Sequence, residues 1–209
     1  MSSVVETHDP EVLDSILTDV APHRARRRWS VDEYHRMGEL GVLGDHERLE
    51  LIEGDVIKMA PIGSRHASQV NRLNWVLNQN LNRAGLAIVA PQNPVVLDEY
   101  SEPEPDIAVL RWRDDFYQSA HPGPNDVLLM IEVSDSTVKA DRQVKAPLYA
   151  RHGIPEYWIV DITAQRLEVY REPMEGHYQQ TTEHQAGTVS PVMLPEVVID
   201  LVALFPADD

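Results

Sequence analysis

A single charged residue interrupts the apolar run Val127-Leu128-Leu129-Met130-Ile131-Glu132-Val133. A strand that is covered on both faces has this composition, so the run predicts the central strand of a sheet. A second run, Pro105-Asp106-Ile107-Ala108-Val109-Leu110, predicts a neighbouring strand that opens with an acid. A buried carboxylate is costly unless a partner neutralises it, and a divalent cation is a general partner for two carboxylates. Asp106 and Glu132 are therefore the first candidates for functional residues.

Length and composition predict one soluble domain. The chain has 209 residues, of which 43% are apolar, which is enough for a core without disulfides or a structural metal. There is no cysteine, so thiolate zinc sites and cysteine nucleophiles are excluded. The sequence has no apolar run of about 18 residues and no basic-then-apolar signal at its start. We therefore expect a cytoplasmic protein with no membrane partner.

The chain divides into an arm and a domain. Residues 1–28 combine a short amphipathic stretch with prolines and an arginine run, which predicts a flexible N-terminal arm. Residues 29–209 are predicted to form a single domain. It opens with a helix that extends to about Leu40, because Ser30-Val31-Asp32-Glu33 is a capping-box pattern.

Two more elements precede the acid-bearing strands. The segment Arg48 to Met59 is split by Glu53-Gly54-Asp55, which predicts a hairpin with glycine at its turn. The segment Ser64 to Arg83 has apolar residues at three- and four-residue spacing and is followed by Gly85, which predicts a long helix. The opposite face of this helix is rich in asparagine and glutamine.

The order of strands and helices predicts an α/β fold. A helix from about Asp141 to His152 has Pro147 either in its first turn or at a kink. The strand Glu156 to Asp161 follows, so strand, helix and strand form a crossover between parallel strands. We expect a mixed β-sheet core flanked by helices, with additional antiparallel strands. The remaining predicted strands are 87–90, 95–97, 106–111, 166–170, 178–182 and 197–201.

Asp106 and Glu132 are candidate metal ligands because adjacent strands would bring them together. Two carboxylates and a nearby main-chain carbonyl, such as that of Val133, are hard oxygen ligands suited to Mg²⁺ or Mn²⁺. Such an ion activates water and stabilises the charged transition state of phosphodiester hydrolysis. Lys145, on the next helix, would add a positive charge near the attacking water or the phosphate.

The same region has other interpretations. Glu50 is a third candidate acid, and Glu53, in the hairpin turn, is its competitor. If the two acids have only a structural role, Asp106 would cap a turn, and Glu132 would form a buried ion pair with an arginine or with Lys145. Buried carboxylates mark functional sites only as a tendency. Apart from His66, the histidines of the chain have no mutual spacing that indicates zinc.

A set of motifs between about residues 29 and 205 matches one family pattern. They are Arg48-Leu49-Glu50-Leu51-Ile52-Glu53-Gly54, His66, Glu104-Pro105-Asp106, Ile131-Glu132-Val133-Ser134-Asp135-Ser136-Thr137, Asp141, Lys145, Tyr149 and Gly153-Ile154-Pro155-Glu156-Tyr157-Trp158-Ile159-Val160-Asp161. On these residues the chain resembles the Uma-type family of restriction endonucleases, within the PD-(D/E)xK nuclease superfamily. The resemblance implies a restriction-endonuclease-like fold.

The resemblance also implies roles for individual residues. Asp106 and Glu132 would be the metal-binding acids, Glu50 a helper carboxylate and Lys145 the catalytic lysine. The chain departs from the superfamily motif two positions after Glu132, where it has a serine, so the lysine would come from the following helix. His66, at the start of the long helix, is a further candidate for contact with metal or phosphate.

The leading prediction is a Mg²⁺- or Mn²⁺-dependent endonuclease that acts on nucleic acid, with DNA as the expected partner. A non-catalytic nuclease-fold module for binding or assembly is the alternative, and an α/β interaction protein with internally paired acids is a third. The net charge of −16 demands a local basic patch for phosphate binding. Strand edges lead us to expect a homodimer. The candidate basic residues are Arg24, Arg26, Arg27, Arg28, Arg111, Arg113, Lys139, Arg142, Lys145 and Arg151.

Overall fold

The computed structural model describes residues 26–44, 47–81 and 85–205. The predicted arm falls mostly on residues 1–25, outside the described residues, and stays a prediction. Helix α1 starts at the capping box, where Ser30 and Glu33 each accept the other's backbone N–H. The N-terminal elements are α1 (Val31–Glu39), β1 (Leu49–Ile52), β2 (Asp55–Lys58) and α2 (Ser64–Leu81).

Helix α2 packs through the apolar stripe that its sequence shows. Val70, Leu73, Leu77 and Leu81 are all buried on one side of the helix. The prediction placed the end of the helix at Arg83, and residues 82–84 lie outside the described residues. No helix in the described part of the chain is both long enough and apolar enough to span a membrane.

Six strands form one mixed sheet, and their spatial order is their chain order. The parallel pair is β5 with β6, and the other neighbours are antiparallel. Every residue of β5 is buried, which confirms the predicted central strand. The strands are β3 (Ala87–Pro91), β4 (Ile107–Arg111), β5 (Val127–Ser134), β6 (Glu156–Asp161), β7 (Arg166–Met174) and β8 (His177–His184).

A helical crossover joins the two parallel strands, as predicted. It consists of α3 (Val138–Ala140), a π-helical turn (Asp141–Lys145) and α4 (Ala146–Arg151). The predicted start at Asp141 is therefore wrong by one short turn. Pro147 lies in the first turn of α4, directly after the π-helical turn. Such an irregular turn accommodates a proline, which lacks an N–H and clashes inside a regular helix.

Residues 95–97 do not form the predicted strand. The N–H of Val95 donates to the Pro103 carbonyl at 3.0 Å, and the N–H of Leu97 donates to the Ser101 carbonyl at 2.9 Å. These bonds close a loop on itself rather than adding a strand to the sheet. The loop leads directly into Asp106, so its compactness fixes where β4 begins.

The C-terminal strands also differ from their predicted bounds. β7 and β8 are longer than predicted, with Glu175-Gly176 between them. The predicted strand 197–201 shortens to β10 (Ile199–Asp200), which pairs with β9 (Thr188–Val189) in a separate sheet. Helix α5 (Leu201–Leu204) follows at once, because the Asp200 side chain accepts an N–H of its first turn.

The two faces of the six-stranded sheet bury separate apolar clusters. One cluster contains residues of α2 and α5 together with the sheet face that carries Ile107 and Ile131. The other includes α4 and the opposite face, with Ala108 and Met130. Because side chains alternate along a strand, Glu132 belongs to the second face. The acids therefore lie on the side of the sheet covered by the crossover helix.

Candidate active site

The pairing register of β4 and β5 brings Asp106 and Glu132 together. Ile107 is opposite Ile131 in this antiparallel pair, so the preceding and following residues are neighbours. The N–H of Asp106 lies 3.4 Å from Glu132 Oε2, and the N–H of Val133 donates to Asp106 Oδ2 at 2.9 Å. Both acids are buried. The structure thus makes the two acids predicted from sequence adjacent.

Lys145 lies between two of the acids. Its Nζ is 2.9 Å from Glu132 Oε1 and 3.2 Å from Glu50 Oε2. Glu50 Oε2 also accepts the backbone N–H of Glu104 at 3.3 Å. The Lys145 side chain is only 11% exposed, so its ammonium group depends on these carboxylates for compensation.

Glu50 reaches the site from a hairpin outside the central sheet. β1 and β2 form their own two-stranded sheet and are not strands of the central sheet. Leu51 and Glu102 exchange two backbone hydrogen bonds, which tie β1 to the loop before β4. Glu53, the competing acid, pairs instead with Arg151 at 2.8 Å near the surface. Of the two hairpin acids, only Glu50 belongs to the site.

Burial and neighbouring charges together set the protonation states of Glu132 and Lys145. Burial raises the pKa of Glu132 to about 8, although the Lys145 charge opposes the shift. Burial alone would lower the pKa of Lys145, but the charges of Glu132 and Glu50 outweigh it and raise that pKa. The Tyr149 hydroxyl donates to Glu132 Oε1 at 2.9 Å. Lys145 is therefore held as a cation, whereas burial disfavours the ionised form of Glu132 unless a positive group compensates it.

His66 joins the site from the first turns of α2. Its Nε2 lies 2.9 Å from Asp106 Oδ2. This hydrogen bond raises the pKa of His66 against the effect of burial. The other ring nitrogen, Nδ1, is buried and has no hydrogen-bond partner among the described residues. His66 therefore orients the Asp106 carboxylate.

Sequence reasoning did not assign site roles to Asp141 and Tyr149. The Asp141 carboxylate accepts the hydroxyl groups of Ser134 and Thr137, at 2.5 and 2.9 Å. Burial raises the pKa of Asp141. Both residues are four positions from Lys145, one on each side. This spacing on a predicted helix indicates a shared face and was the signal available in the sequence.

The site opens into a cleft of about 490 Å³. Glu50, Asp106, Glu132, Lys145 and His66 all line it. Basic residues lie at or beside the rim of the cleft, and each pairs with an acid. Arg48 pairs with Glu104, Lys58 pairs with Glu47, and Arg65 pairs with the rim residue Asp135 at 3.3 Å. The cleft is thus open to solvent and lined by both signs of charge.

The oxygen atoms in the cleft fit a divalent ion with few protein ligands. Asp106 Oδ1 has no hydrogen-bond donor among the described residues, and Glu132 Oε2 receives only the 3.4 Å contact. The Val133 N–H points to Asp106, and the carbonyl of the same residue in an extended strand points to the same side. Within the described ranges, no group of three or more His, Asp and Glu side chains has metal-binding geometry. Two carboxylates, one carbonyl and several waters suit Mg²⁺.

The basic residues proposed as a patch are mostly paired with acids. Arg24 lies outside the described residues. Arg111 donates to the Asn125 carbonyl at 2.9 Å rather than to an acid. The patch itself stays a prediction. The paired guanidinium groups are those of Arg26 with Asp55, Arg27 with Glu33, Arg113 with Asp115, Arg142 with Glu168 and Arg151 with Glu53.

The mixed sheet, the two acids at the β4–β5 junction and the lysine from the crossover define a restriction-endonuclease-like fold with a candidate nuclease site. The family model Uma2, described as "Putative restriction endonuclease", matches residues 31–202, and the chain belongs to this family. A similar solved structure is described as "a putative nuclease belonging to DUF820 from Anabaena variabilis ATCC 29413". It is 20% identical with a TM-score of 0.65, over 84% of this chain and 97% of that chain, which supports the fold. No curated protein matches the chain.

Proposed function

We propose that the protein is a metal-dependent endonuclease that hydrolyses phosphodiester bonds of nucleic acid, with DNA as the expected substrate. One observation carries the proposal: Glu50, Asp106, Glu132 and Lys145, from separate parts of the chain, meet in one open cleft. The family description supports a nuclease, and restriction-endonuclease-like proteins generally use divalent metals. Such a cluster of buried charges is costly for stability, which favours a role in chemistry.

Asp106, Glu132 and the Val133 carbonyl would hold Mg²⁺ or Mn²⁺. The bound ion would supply a Lewis acid that activates water and stabilises negative charge on the phosphate. His66 engages Oδ2 of Asp106 and leaves Oδ1 for the ion. Tyr149 engages Oε1 of Glu132 and leaves Oε2 in the same way. These two neighbours orient the ligands, as partners of metal-binding residues generally do.

Lys145 would act by its charge. Its raised pKa keeps the ammonium protonated, so it stabilises the phosphate rather than removing a proton from water. Glu50 Oε2 lies 3.2 Å from the ammonium and Glu132 Oε1 lies 2.9 Å from it, so both acids hold it in place. During hydrolysis a water oxygen would bond to phosphorus and lose a proton to solvent, one P–O ester bond would break, and the leaving oxygen would gain a proton from solvent.

A non-catalytic nuclease-fold module is the second candidate. Two features favour it: the Lys145 ammonium already pairs with Glu132 and Glu50, and the chain has a net charge of −16. In this case the His66 side chain and the Val133 N–H would hold Asp106, and the cleft would serve binding or assembly. The two candidates differ in one property, which is turnover of a phosphodiester.

The test is cleavage of a mixed panel of DNA and RNA in Mg²⁺ and in Mn²⁺. We expect the parent protein to cut, and Glu132→Ala or Lys145→Ala to abolish cutting without unfolding the domain. EDTA should also abolish it. Glu172→Ala, which removes an exposed acid from β7, is the matched control and should cut like the parent. Equal cleavage by the parent, Glu132→Ala and Lys145→Ala would refute the assignment, and metal binding without any cleavage would favour the second candidate.

A further inference from the structure

Helix α2 differs in charge from the rest of the chain. Of the 209 residues, 34 are acidic, yet none of the 18 residues of α2 is. The shorter α1, by comparison, has Asp32 and Glu33 in its first turn alone. Mutual repulsion in so acidic a protein would favour an even spread of acids over its surface. A helix without acids is therefore a place where an anion can approach.

The solvent-facing side of α2 carries a continuous row of polar, basic and aromatic residues. They recur at three- and four-residue spacing, which places them on one face. The buried Leu73 and Leu77 lie on the opposite side. We name this row the α2 stripe: Arg65, Ser68, Arg72, Trp75 and Gln79.

Two residues of the α2 stripe are available to a ligand. Arg72 makes no ion pair or hydrogen bond with any other described residue. Trp75 is 63% exposed, so one large flat aromatic side chain faces solvent. A guanidinium with no partner among the described residues and an exposed indole, one turn apart, match the two parts of a nucleotide: the phosphate and the base.

The α2 stripe begins at the mouth of the cleft. His66, in the first turns of the helix, contacts Asp106, and Arg65 pairs with Asp135 on the cleft wall. With a rise of about 1.5 Å per residue, Arg72 lies roughly 10 Å beyond Arg65 along the helix axis, and Trp75 about 15 Å. At about 3.4 Å per nucleotide, this is the length of roughly three to four nucleotides of DNA.

We propose that the α2 stripe is the track along which a nucleic-acid strand leaves the cleft. Arg72 would contact a backbone phosphate, and Trp75 would stack on an unpaired base. Charge complementarity between an acid-free face and a polyanion carries the assignment, because release of counterions drives such binding. The substrate class rests on the function proposed above, while the surface itself is argued from α2 alone.

The test measures binding of short labelled DNA and RNA, as single strands and as duplexes, by fluorescence anisotropy over a range of salt in EDTA. We expect Arg72→Gln to reduce the slope of log affinity against log salt by about 1. Trp75→Ala should weaken single-strand binding about tenfold. Two matched controls, Arg36→Gln in α1 and Trp112→Ala, remove an exposed arginine and an exposed tryptophan at other positions and should bind like the parent. The Trp112 side chain is 42% exposed.

The outcomes separate this proposal from the proposed function. If the parent cuts and binds but both α2 variants bind like the parent, the α2 stripe is not the track. If the variants bind more weakly but the parent cuts nothing in Mg²⁺, the track stands and the endonuclease proposal fails. If Trp75→Ala splits a dimer in sedimentation and leaves nucleic-acid binding unchanged, the face is an interface between copies and the track is refuted. A parent that binds no nucleic acid refutes both.

Discussion

Replacement of Lys145 by methionine tests how the buried charges are compensated. Methionine keeps most of the side-chain volume and removes the charge. The ammonium lies 2.9 Å from Glu132 Oε1 and 3.2 Å from Glu50 Oε2. At an effective dielectric constant of about 20, each contact attracts by roughly 5 kcal/mol. Burial of the ammonium offsets much of this gain.

The net loss of stability should be about 3 kcal/mol. Removal of one partner from a buried pair costs about 3–5 kcal/mol, because the other charge is left uncompensated. Glu132, whose pKa is about 8, can take up a proton instead, so we expect the lower end of this range. Mn²⁺ should restore stability to Lys145→Met, because the ion supplies the missing positive charge. An ion present at 100 times its Kd contributes about 2.7 kcal/mol.

The assay is urea unfolding of the parent and Lys145→Met, each in EDTA and in Mn²⁺. Lys139→Met is the matched control, because Lys139 is exposed and makes no ion pair with any described residue. It should unfold like the parent in both buffers. A loss under about 1 kcal/mol for Lys145→Met, with no response to Mn²⁺, would refute the reasoning on charge compensation.

Three further predictions concern stability in EDTA. Tyr149→Phe removes a hydroxyl donor from the buried carboxylate of β5 and should lower the free energy of unfolding by about 1.5–3 kcal/mol. Unchanged urea unfolding would contradict this. Gly54→Ala should cost about 1–3 kcal/mol, because φ is +87° and the added Cβ would lie 2.5 Å from an arginine Cβ. Gly153→Ala, with φ of +70° and open space, should cost less, and equal losses would contradict the steric argument. Burial opposes the ionisation of Glu168, but its arginine and tyrosine partners outweigh this and hold its pKa below the usual 4.5. The stabilisation is therefore present above pH 4.5 and lost as the pH falls through the folded pKa, so Glu168→Gln should have a shallower loss of stability in acid than the parent. Parallel pH profiles would contradict it.

Elements with a strong local pattern could be predicted from the sequence. The continuous apolar run of β5, the helical spacing of α2 and the Glu53-Gly54 turn each specify one kind of backbone without reference to distant residues. Residues 95–97 could not be predicted correctly, because their backbone partners are Ser101 and Pro103 in a loop. Apolar composition alone does not distinguish a buried loop from a strand.

The candidate site was only partly predictable for a related reason. The cost of burying Asp106 and Glu132 can be seen in the sequence, because each interrupts or opens an apolar run. The position of Glu50 depends on two backbone hydrogen bonds between Leu51 and the loop before β4. No local sequence pattern encodes this contact. Lys145 was predicted on the helix after β5, but its contact with both acids depends on a π-helical turn that no pattern in its neighbours specifies.

A crystal soaked in Mn²⁺, with the anomalous signal measured, tests the central claim most directly. We predict one peak in the cleft, at about 2.0–2.2 Å from Asp106 Oδ1, Glu132 Oε2 and the Val133 carbonyl. Lys145 should still contact Glu50. A map with no peak there at saturating Mn²⁺, and with Lys145 still bound to Glu132, would contradict the assignment of these residues as a metal site.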